Sequence, residues 1–211
     1  TDILYLRAAM KALHKHYPKL ITVNQDGSVS FHVSFFRRSK RWQYFFGMSL
    51  DGADAMKTIY QYFISGRNAF NYMSYFSKLC SHPPQNPVIF LFDNETVSDR
   101  PLKIFLKREG KAIDQASLQK DLYVQLVPKS NLHLLTNPLV NGKPECEIED
   151  LFDAKTLGHM INGRSFSRAD DYDKGKYYGK DLFSKYVFAN FNTIDFSNFR
   201  PLLDALTTLI G

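Results

Sequence analysis

The sharpest chemical signal in the sequence is a pair of carboxylates, Asp93 and Glu95, directly after the apolar run of residues 88–92. In an open α/β sheet, ligands bind beyond the carboxyl ends of the strands. Neighbouring carboxylates repel unless a proton or a cation neutralises them, and hard oxygen ligands suit Mg²⁺ or Mn²⁺. The pattern therefore predicts a divalent-cation site. The plainer alternative is that Asp93 caps the next helix and Glu95 is solvated.

A second group of acidic residues follows a predicted turn at residues 141–142. It consists of Glu145, Glu147, Glu149, Asp150 and Asp153. Glu147 and Glu149 would share one face of an extended chain, whereas Asp150 and Asp153 would share one face of a helix. The group is a candidate source of a second metal site or of a base that activates water. The alternative is an ordinary solvated surface, which is the more common role of an acidic run.

A basic and aromatic stretch, residues 35–46, has the composition of a nucleic-acid surface, with cations that neutralise phosphates beside rings on which bases stack. Its candidate contacts are Arg37, Arg38, Lys40, Arg41 and Trp42. A second basic and aromatic segment, residues 174–180, adds Lys176 and Lys180. The competing interpretation is a hairpin whose rings pack on the domain and whose cations solvate its tip.

Length and composition narrow the class of protein. The chain has 211 residues, 44% hydrophobic and 23% charged, which excludes disorder and allows a core without disulfides. The 27 Lys and Arg against 21 Asp and Glu leave a charge of +6, which suits a polyanionic partner. No apolar run approaches the ~18–20 residues of a membrane span, so no membrane partner is expected. The two cysteines lie far apart, which excludes a cysteine zinc site and fits a reducing compartment.

The elements that must position these residues follow from hydrophobic periodicity. The pattern predicts helices over residues 2–16, 53–64, 69–80, 100–108, 180–189 and 199–210, and strands over residues 20–23, 28–35, 42–46, 88–92, 122–127 and 132–136. Because helices alternate with strands, the pattern indicates an α/β core. The run of residues 88–92 is apolar at every position, which is typical of a central strand covered on both faces.

Several short motifs, in this order, resemble those of a Toprim-type nuclease domain. Thr1-Asp2 and residues 3–9 are similar to the turn and helix after the first Toprim strand. Residues 88–95 resemble the second motif, an apolar strand ending in Asp-x-Asp, with Glu95 in place of the last Asp. Residues 147–152 resemble the later acidic segment. Residues 178–180 and 195–203 resemble the C-terminal nuclease region of some bacterial retron reverse transcriptases.

The resemblance implies a Toprim (Rossmann-like) α/β fold with a mainly parallel sheet flanked by helices. The Toprim core would occupy residues 1–155, with its first strand upstream and a β-hairpin inserted at about residues 20–47. Residues 156–211 would form a helical C-terminal extension packed on the core. The first catalytic Glu of the family, and a polymerase region, would precede Thr1.

The resemblance also implies a nuclease that depends on Mg²⁺ or Mn²⁺, hydrolyses RNA or DNA, and acts as the effector of an antiphage retron reverse transcriptase. Asp93 and Glu95 would hold one cation, and Glu149 and Asp150, with Glu147, would hold a second or orient water. Two cations about 4 Å apart stabilise the attacking and leaving oxygens of an in-line displacement. Lys180 would balance the negative charge that develops at phosphorus.

The partners implied are the reverse transcriptase region of the same polypeptide and the RNA–DNA hybrid product of the retron, in a bacterial cytoplasm. A homo-oligomer is left open, as are the choice between RNA and DNA and the activation trigger. The alternative from another class is a catalytically silent Toprim-fold module that binds nucleic acid, since fold does not imply activity. A primase- or topoisomerase-type Toprim is less favoured, because no tyrosine stands out as a topoisomerase nucleophile.

Overall fold

The computed structural model describes residues 1–36, 39–47, 54–64, 71–82, 84–109, 113–128 and 130–211. Within these residues the chain is a mixed α/β protein that divides into two compact units. The first unit comprises residues 1–35, 138–209 and 211, and the second comprises residues 36–137 and 210. These two units are compact parts of the chain and do not identify a Toprim core. The boundary expected at residue 155 depends on the Toprim resemblance and stays a prediction.

The helices and strands are numbered in chain order. They are α1 (Asp2–Ala12), β1 (Ile21–Val23), β2 (Val29–Phe31), α2 (Lys40–Phe46), α3 (Asp54–Ile64), α4 (Tyr72–Leu79), β3 (Val88–Phe92), α5 (Pro101–Glu109), α6 (Gln115–Asp121), β4 (Tyr123–Gln125), β5 (Leu132–Thr136), α7 (Ala154–Leu157), β6 (Ser165–Phe166), β7 (Tyr177–Tyr178), α8 (Lys180–Ala189) and α9 (Arg200–Ile210). Most predicted elements are confirmed with shifted ends. In the described parts of the chain, no helix is both long and apolar enough to span a bilayer.

One predicted strand is wrong. Residues 42–46 belong to the helix α2, so the β-hairpin expected over residues 20–47 is limited to the antiparallel pair β1 and β2. Ser39 has the extended backbone of an N-cap, and Gly47 ends the helix in the left-handed conformation at φ 59°. These two signals start and end a short helix, and they outweigh the strand preference of its aromatic residues.

The sheet of the second unit has the strand order β3-β5-β4. β3 pairs with β5 in parallel, with Phe92 opposite Thr136, whereas β4 runs antiparallel to β5. The sheet expected to be mainly parallel is therefore mixed among the described strands. Among the described strands β3 pairs with β5 alone and lies at an edge of this sheet, so the central place expected from the apolar run stays a prediction.

Aromatic packing fixes the position of β3. Phe90 and Phe92 are two residues apart, so they face the same side of the sheet, and both are buried. The Phe90 ring lies 5.8 Å from that of Tyr60 on α3, and the Phe92 ring lies 5.2 Å from that of Phe105 on α5. A one-residue slip would expose these rings, so this face specifies the register that places Asp93 at the end of β3.

A second aromatic cluster forms the core of the first unit. Phe152 lies at its centre, with ring centroids 5.1 Å from Tyr5 on α1, 5.4 Å from Phe183 on α8 and 5.1 Å from Phe199. Phe152 directly follows a 3₁₀ turn at Ile148–Leu151. The same packing therefore fixes the acidic residues of that turn against α1 and α8.

Candidate active site

Four polar residues lie at or just after the ends of the two parallel strands, and we call them the strand-end cluster: Asp93, Asn94, Glu95 and Asn137. Phe92 and Thr136 are paired in register, so Asp93 and Asn137 follow at adjacent strand ends. The Nδ2 of Asn137 donates to Oδ1 of Asp93 at 2.7 Å. This contact holds the Asp93 carboxylate in a defined place at the edge of the sheet.

The other two members of the strand-end cluster are also held. Asn94 is 7% exposed, and its Nδ2 donates to the carbonyl oxygen of Asn137 at 2.8 Å. The Glu95 side chain is 13% exposed, and its Oε1 lies 3.5 Å from Nε of Arg100. The next helix begins only at Pro101, so Asp93 does not cap it. Glu95 is not a fully solvated side chain, because it is largely buried beside Arg100. The geometry thus disfavours the plainer interpretation of both acidic residues.

The strand-end cluster contains oxygen ligands of the kinds that a hard cation prefers. It presents two carboxylates and the Oδ1 of Asn137, a buried oxygen to which nothing in the described chain donates. The described residues contain no group of three or more His, Cys, Asp or Glu placed to share a metal ion. Oxygen ligands of these types suit Mg²⁺ or Mn²⁺, and the cation site expected at Asp93 and Glu95 stays a prediction.

The second acidic group forms a network of ion pairs in the first unit, which we call the charge cluster. It joins the carboxylates of Glu147, Glu149 and Asp150 to the cations of Lys143, Arg168 and Lys180. Asp153 lies outside it, because its carboxylate caps α7 by accepting from the Thr156 N–H at 2.8 Å. Three carboxylates thus face three side-chain cations.

Lys180 joins two of these carboxylates. Its Nζ lies 3.1 Å from Oε2 of Glu147 and 3.3 Å from Oε2 of Glu149. Lys180 is the first residue of α8 and follows Gly179, where a Cβ would come within 2.6 Å of the Tyr172 hydroxyl oxygen. A larger residue at position 179 would force the end of the Tyr172 side chain to shift, so the glycine allows this close approach beside the lysine.

Glu149 is 1% exposed, and this burial has the largest effect on the pKa of its carboxyl group. Burial raises the pKa of Glu149 above its ordinary value, although the charge of Lys180 opposes this shift. Burial alone would lower the pKa of Lys180, but Glu149 and Glu147 outweigh it and raise that pKa. Burial, followed by the charge of Glu149, raises the pKa of Tyr5, whose hydroxyl donates to Oε1 of Glu149 at 3.4 Å.

The Asp150 carboxylate accepts hydrogen bonds from two cations and from one backbone N–H. Its Oδ1 accepts from Nζ of Lys143 and from Nη1 of Arg168, each at 2.7 Å, and its Oδ2 accepts from the Glu147 N–H at 2.9 Å. Burial raises the pKa of Asp150, but the hydrogen bonds from Lys143 and Arg168 outweigh it and leave the pKa below its ordinary value. Side-chain cations already neutralise these carboxylates, so the arrangement does not by itself require a second metal ion. The second-cation role of Glu147, Glu149 and Asp150 stays a prediction.

We expect Asp150→Asn to lower the free energy of unfolding by about 1–3 kcal/mol at pH 7, because it weakens two charged hydrogen bonds at a buried site. The folded-state pKa lies below the ordinary 3.8, so this stabilisation is present above that pH and is lost as the pH falls further. Urea unfolding from pH 7 to pH 3 measures it. The exposed Asp181→Asn is the control, expected to cost under about 0.5 kcal/mol. A difference between Asp150→Asn and wild type that does not shrink below pH 4 contradicts the assignment.

The candidate nucleic-acid contacts are only partly described. Arg37 and Arg38 lie outside the described residues. Lys40 and Arg41 are exposed on α2, and Trp42 is in the same helix. Lys176 precedes β7 in the first unit with its side chain 77% exposed, near Asp173. Lys40 and Arg41 thus lie on a helix rather than on the expected hairpin, and the role of these cations as nucleic-acid contacts stays a prediction.

Sequence reasoning missed Asn137 of the strand-end cluster, Lys143 and Arg168 of the charge cluster, and Tyr5, which donates to Glu149. Asn137 had a usable signal, since it follows a predicted strand as Asp93 does, and neighbouring parallel strands end at the same edge. The other three had none, because they lie in loops or in α1 and meet the acidic residues only through tertiary packing. No family model matches the chain. No solved structure shows a significant match to it.

Proposed function

We propose that this protein is a nuclease that depends on Mg²⁺ or Mn²⁺ and hydrolyses phosphodiester bonds in RNA or DNA. The observation that carries the proposal is the contact of Asp93 with Asn137 at adjacent ends of two parallel strands. Such strand ends are where α/β proteins bind ligands, and an apolar, packed strand makes the site rigid. Asp93 and Glu95 would hold the cation.

The protein's own residues would prepare this site for a phosphodiester. Asn137 would keep the Asp93 carboxylate in place through its amide, and Arg100 would orient Glu95. Exposed Lys40 and Arg41 would attract the polyanion. A bound divalent cation would supply positive charge to the phosphoryl oxygens. Lys180 would balance the negative charge that develops at phosphorus, a role that rests on the Toprim resemblance alone. In the structure its ammonium group is paired with Glu147 and Glu149.

The biological setting is the finer part of the proposal and rests on the resemblance. The nuclease would be the effector of an antiphage retron system in the bacterial cytoplasm. A reverse transcriptase region of the same polypeptide and the RNA–DNA hybrid would be its partners.

A catalytically silent binding module is the second candidate. The exposed cations of α2 favour it, because they can meet phosphates without a metal ion, and the charge cluster needs no metal ion since its carboxylates are already paired with cations.

Cation titration separates the two functions. We expect the intact protein to cleave labelled single- and double-stranded RNA or DNA with Mg²⁺ or Mn²⁺ and to stop in EDTA. Fluorescence anisotropy in EDTA measures binding of the same oligonucleotides. A silent module would give no product in any metal and would bind in EDTA with an affinity that falls steeply with salt. That result would overturn the nuclease proposal.

A further inference from the structure

Asn137 makes contacts with three consecutive residues at the end of β3. Its N–H donates to the carbonyl of Phe92 at 3.4 Å, its Nδ2 donates to Asp93 at 2.7 Å, and its carbonyl accepts from Nδ2 of Asn94 at 2.8 Å. The residue itself is 1% exposed. Asn137 therefore clamps the chain segment that carries the acidic residues.

The remaining polar atom of Asn137 is unexplained by these contacts. Nothing in the described chain donates to its Oδ1, although the atom is buried. The Asp93 carboxylate requires a donor, so it fixes which side of the amide is Nδ2 and which is Oδ1. The two amide atoms are about 2.2 Å apart by standard bond lengths. Since Nδ2 lies 2.7 Å from Oδ1 of Asp93, the orphaned oxygen lies within about 5 Å of that carboxylate.

A buried oxygen without a donor is destabilising and rare in folded proteins. Asn131, at the opposite end of β5, also has a buried Oδ1 without a donor, while its Nδ2 donates to the carbonyl of Asn86. Asn137 differs because its Nδ2 donates a hydrogen bond to a carboxylate, that of Asp93. An acceptor oxygen beside a carboxylate repels further acceptors but attracts a cation.

We propose that Oδ1 of Asn137 is a ligand of the divalent cation held by Asp93 and Glu95, and that the Asn137 amide also positions Asp93. This inference rests on the proposed function and deepens it by adding a neutral ligand from the neighbouring strand. An amide oxygen is a hard ligand suited to Mg²⁺ or Mn²⁺ and adds no charge to the two carboxylates. One side chain then links the cation site to the register of β3 and β5.

Mn²⁺ binding to the intact protein, measured by electron paramagnetic resonance without nucleic acid, tests the inference. We expect Asn137→Leu to lower the Mn²⁺ affinity at least about 10-fold. The matched control is Asn131→Leu, which removes the same groups from the other end of the strand and should leave the affinity unchanged. Thermal unfolding in EDTA checks that each variant folds.

Asn137→Asp is the second variant and keeps an oxygen at the same place. In EDTA we expect it to unfold at a lower temperature than wild type, because a second carboxylate replaces the amide that donates to Asp93 and the two negative charges repel. Mn²⁺ should raise its unfolding temperature more than that of wild type, since the cation relieves this repulsion. A ligand role predicts that pattern, whereas a Mn²⁺-induced rise no larger than that of wild type overturns it.

The outcomes distinguish the inference from the proposed function. If wild type binds Mn²⁺ and Asp93→Asn does not, but Asn137→Leu binds as wild type does, the ligand inference fails and the cation site stands. If wild type binds no Mn²⁺, the cation site itself fails.

Discussion

Asp93→Asn is expected to lower Mg²⁺-dependent cleavage by about 10³-fold, which corresponds to about 4 kcal/mol of transition-state stabilisation. The substitution removes a negative charge from the strand-end cluster but keeps an oxygen that accepts from Nδ2 of Asn137. The contacts of Phe92 with the core do not involve this side chain. We therefore expect the fold to survive, and single-turnover cleavage by the intact protein measures the loss.

Asp99→Asn is the matched control for this prediction. Asp99 follows β3 at a short distance in the chain, but its side chain is 77% exposed and pairs with Lys103 and Lys107. We expect the cleavage rate of this variant to stay within about twofold of wild type, since an exposed ion pair contributes little. Unchanged cleavage in Asp93→Asn would remove Asp93 from the metal site. A loss as large in Asp99→Asn would show that the effect is not specific to the strand end.

Lys180→Met is expected to lower the free energy of unfolding by about 2–3 kcal/mol at pH 7. Breaking a fully buried ion pair typically costs about 3–5 kcal/mol, and the partial exposure of Lys180 reduces this figure. The cost arises because Glu149, which is 1% exposed, loses its cationic partner. Urea unfolding of wild type and variant measures the difference.

The pH dependence of the Lys180→Met variant follows from Glu149. Burial raises the folded-state pKa of this carboxyl, so the folded protein holds the proton more readily than the unfolded chain does. Its stabilising contribution is present below the unfolded pKa and is lost as the pH rises through the folded pKa. Without Lys180 that pKa rises further. The destabilisation should therefore be largest at neutral pH and should diminish toward pH 4.5, the ordinary value for Glu.

Two further variants make the Lys180 prediction decisive. Lys185→Met removes an exposed lysine of the same helix, paired with Asp181, and should cost under about 0.5 kcal/mol. The double variant Lys180→Met with Glu149→Gln should recover much of the lost stability, because no buried charge is left unpaired. If Lys180→Met costs no more than Lys185→Met, the charge cluster does not stabilise the fold. A double variant that folds but does not cleave would support a catalytic role of the Lys180 and Glu149 pair.

Local pattern was sufficient to predict most of the elements. Residues 88–92 form a strand, and α1, α3, α8 and α9 lie where apolar periodicity placed them, because each buries one face in a core. Residues 42–46 form a helix although their aromatic composition predicts a strand, because Ser39 and Gly47 provide the signals that start and end a helix. The order of the described strands, β3-β5-β4, could not be predicted, since neighbours in a sheet come from pairing between distant segments.

The sequence by itself determined that Asp93 and Glu95 stand at the end of a strand, because an apolar run followed by carboxylates is a local pattern. Only the tertiary structure decided what these residues contact. Asn137 is 44 residues from Asp93, and Lys180 is 31 residues from Glu149. Such meetings depend on strand register and helix packing, which are properties of the whole core. The chemistry was therefore visible in the residue types, whereas its assignment to a cation or to an ion pair needed the fold.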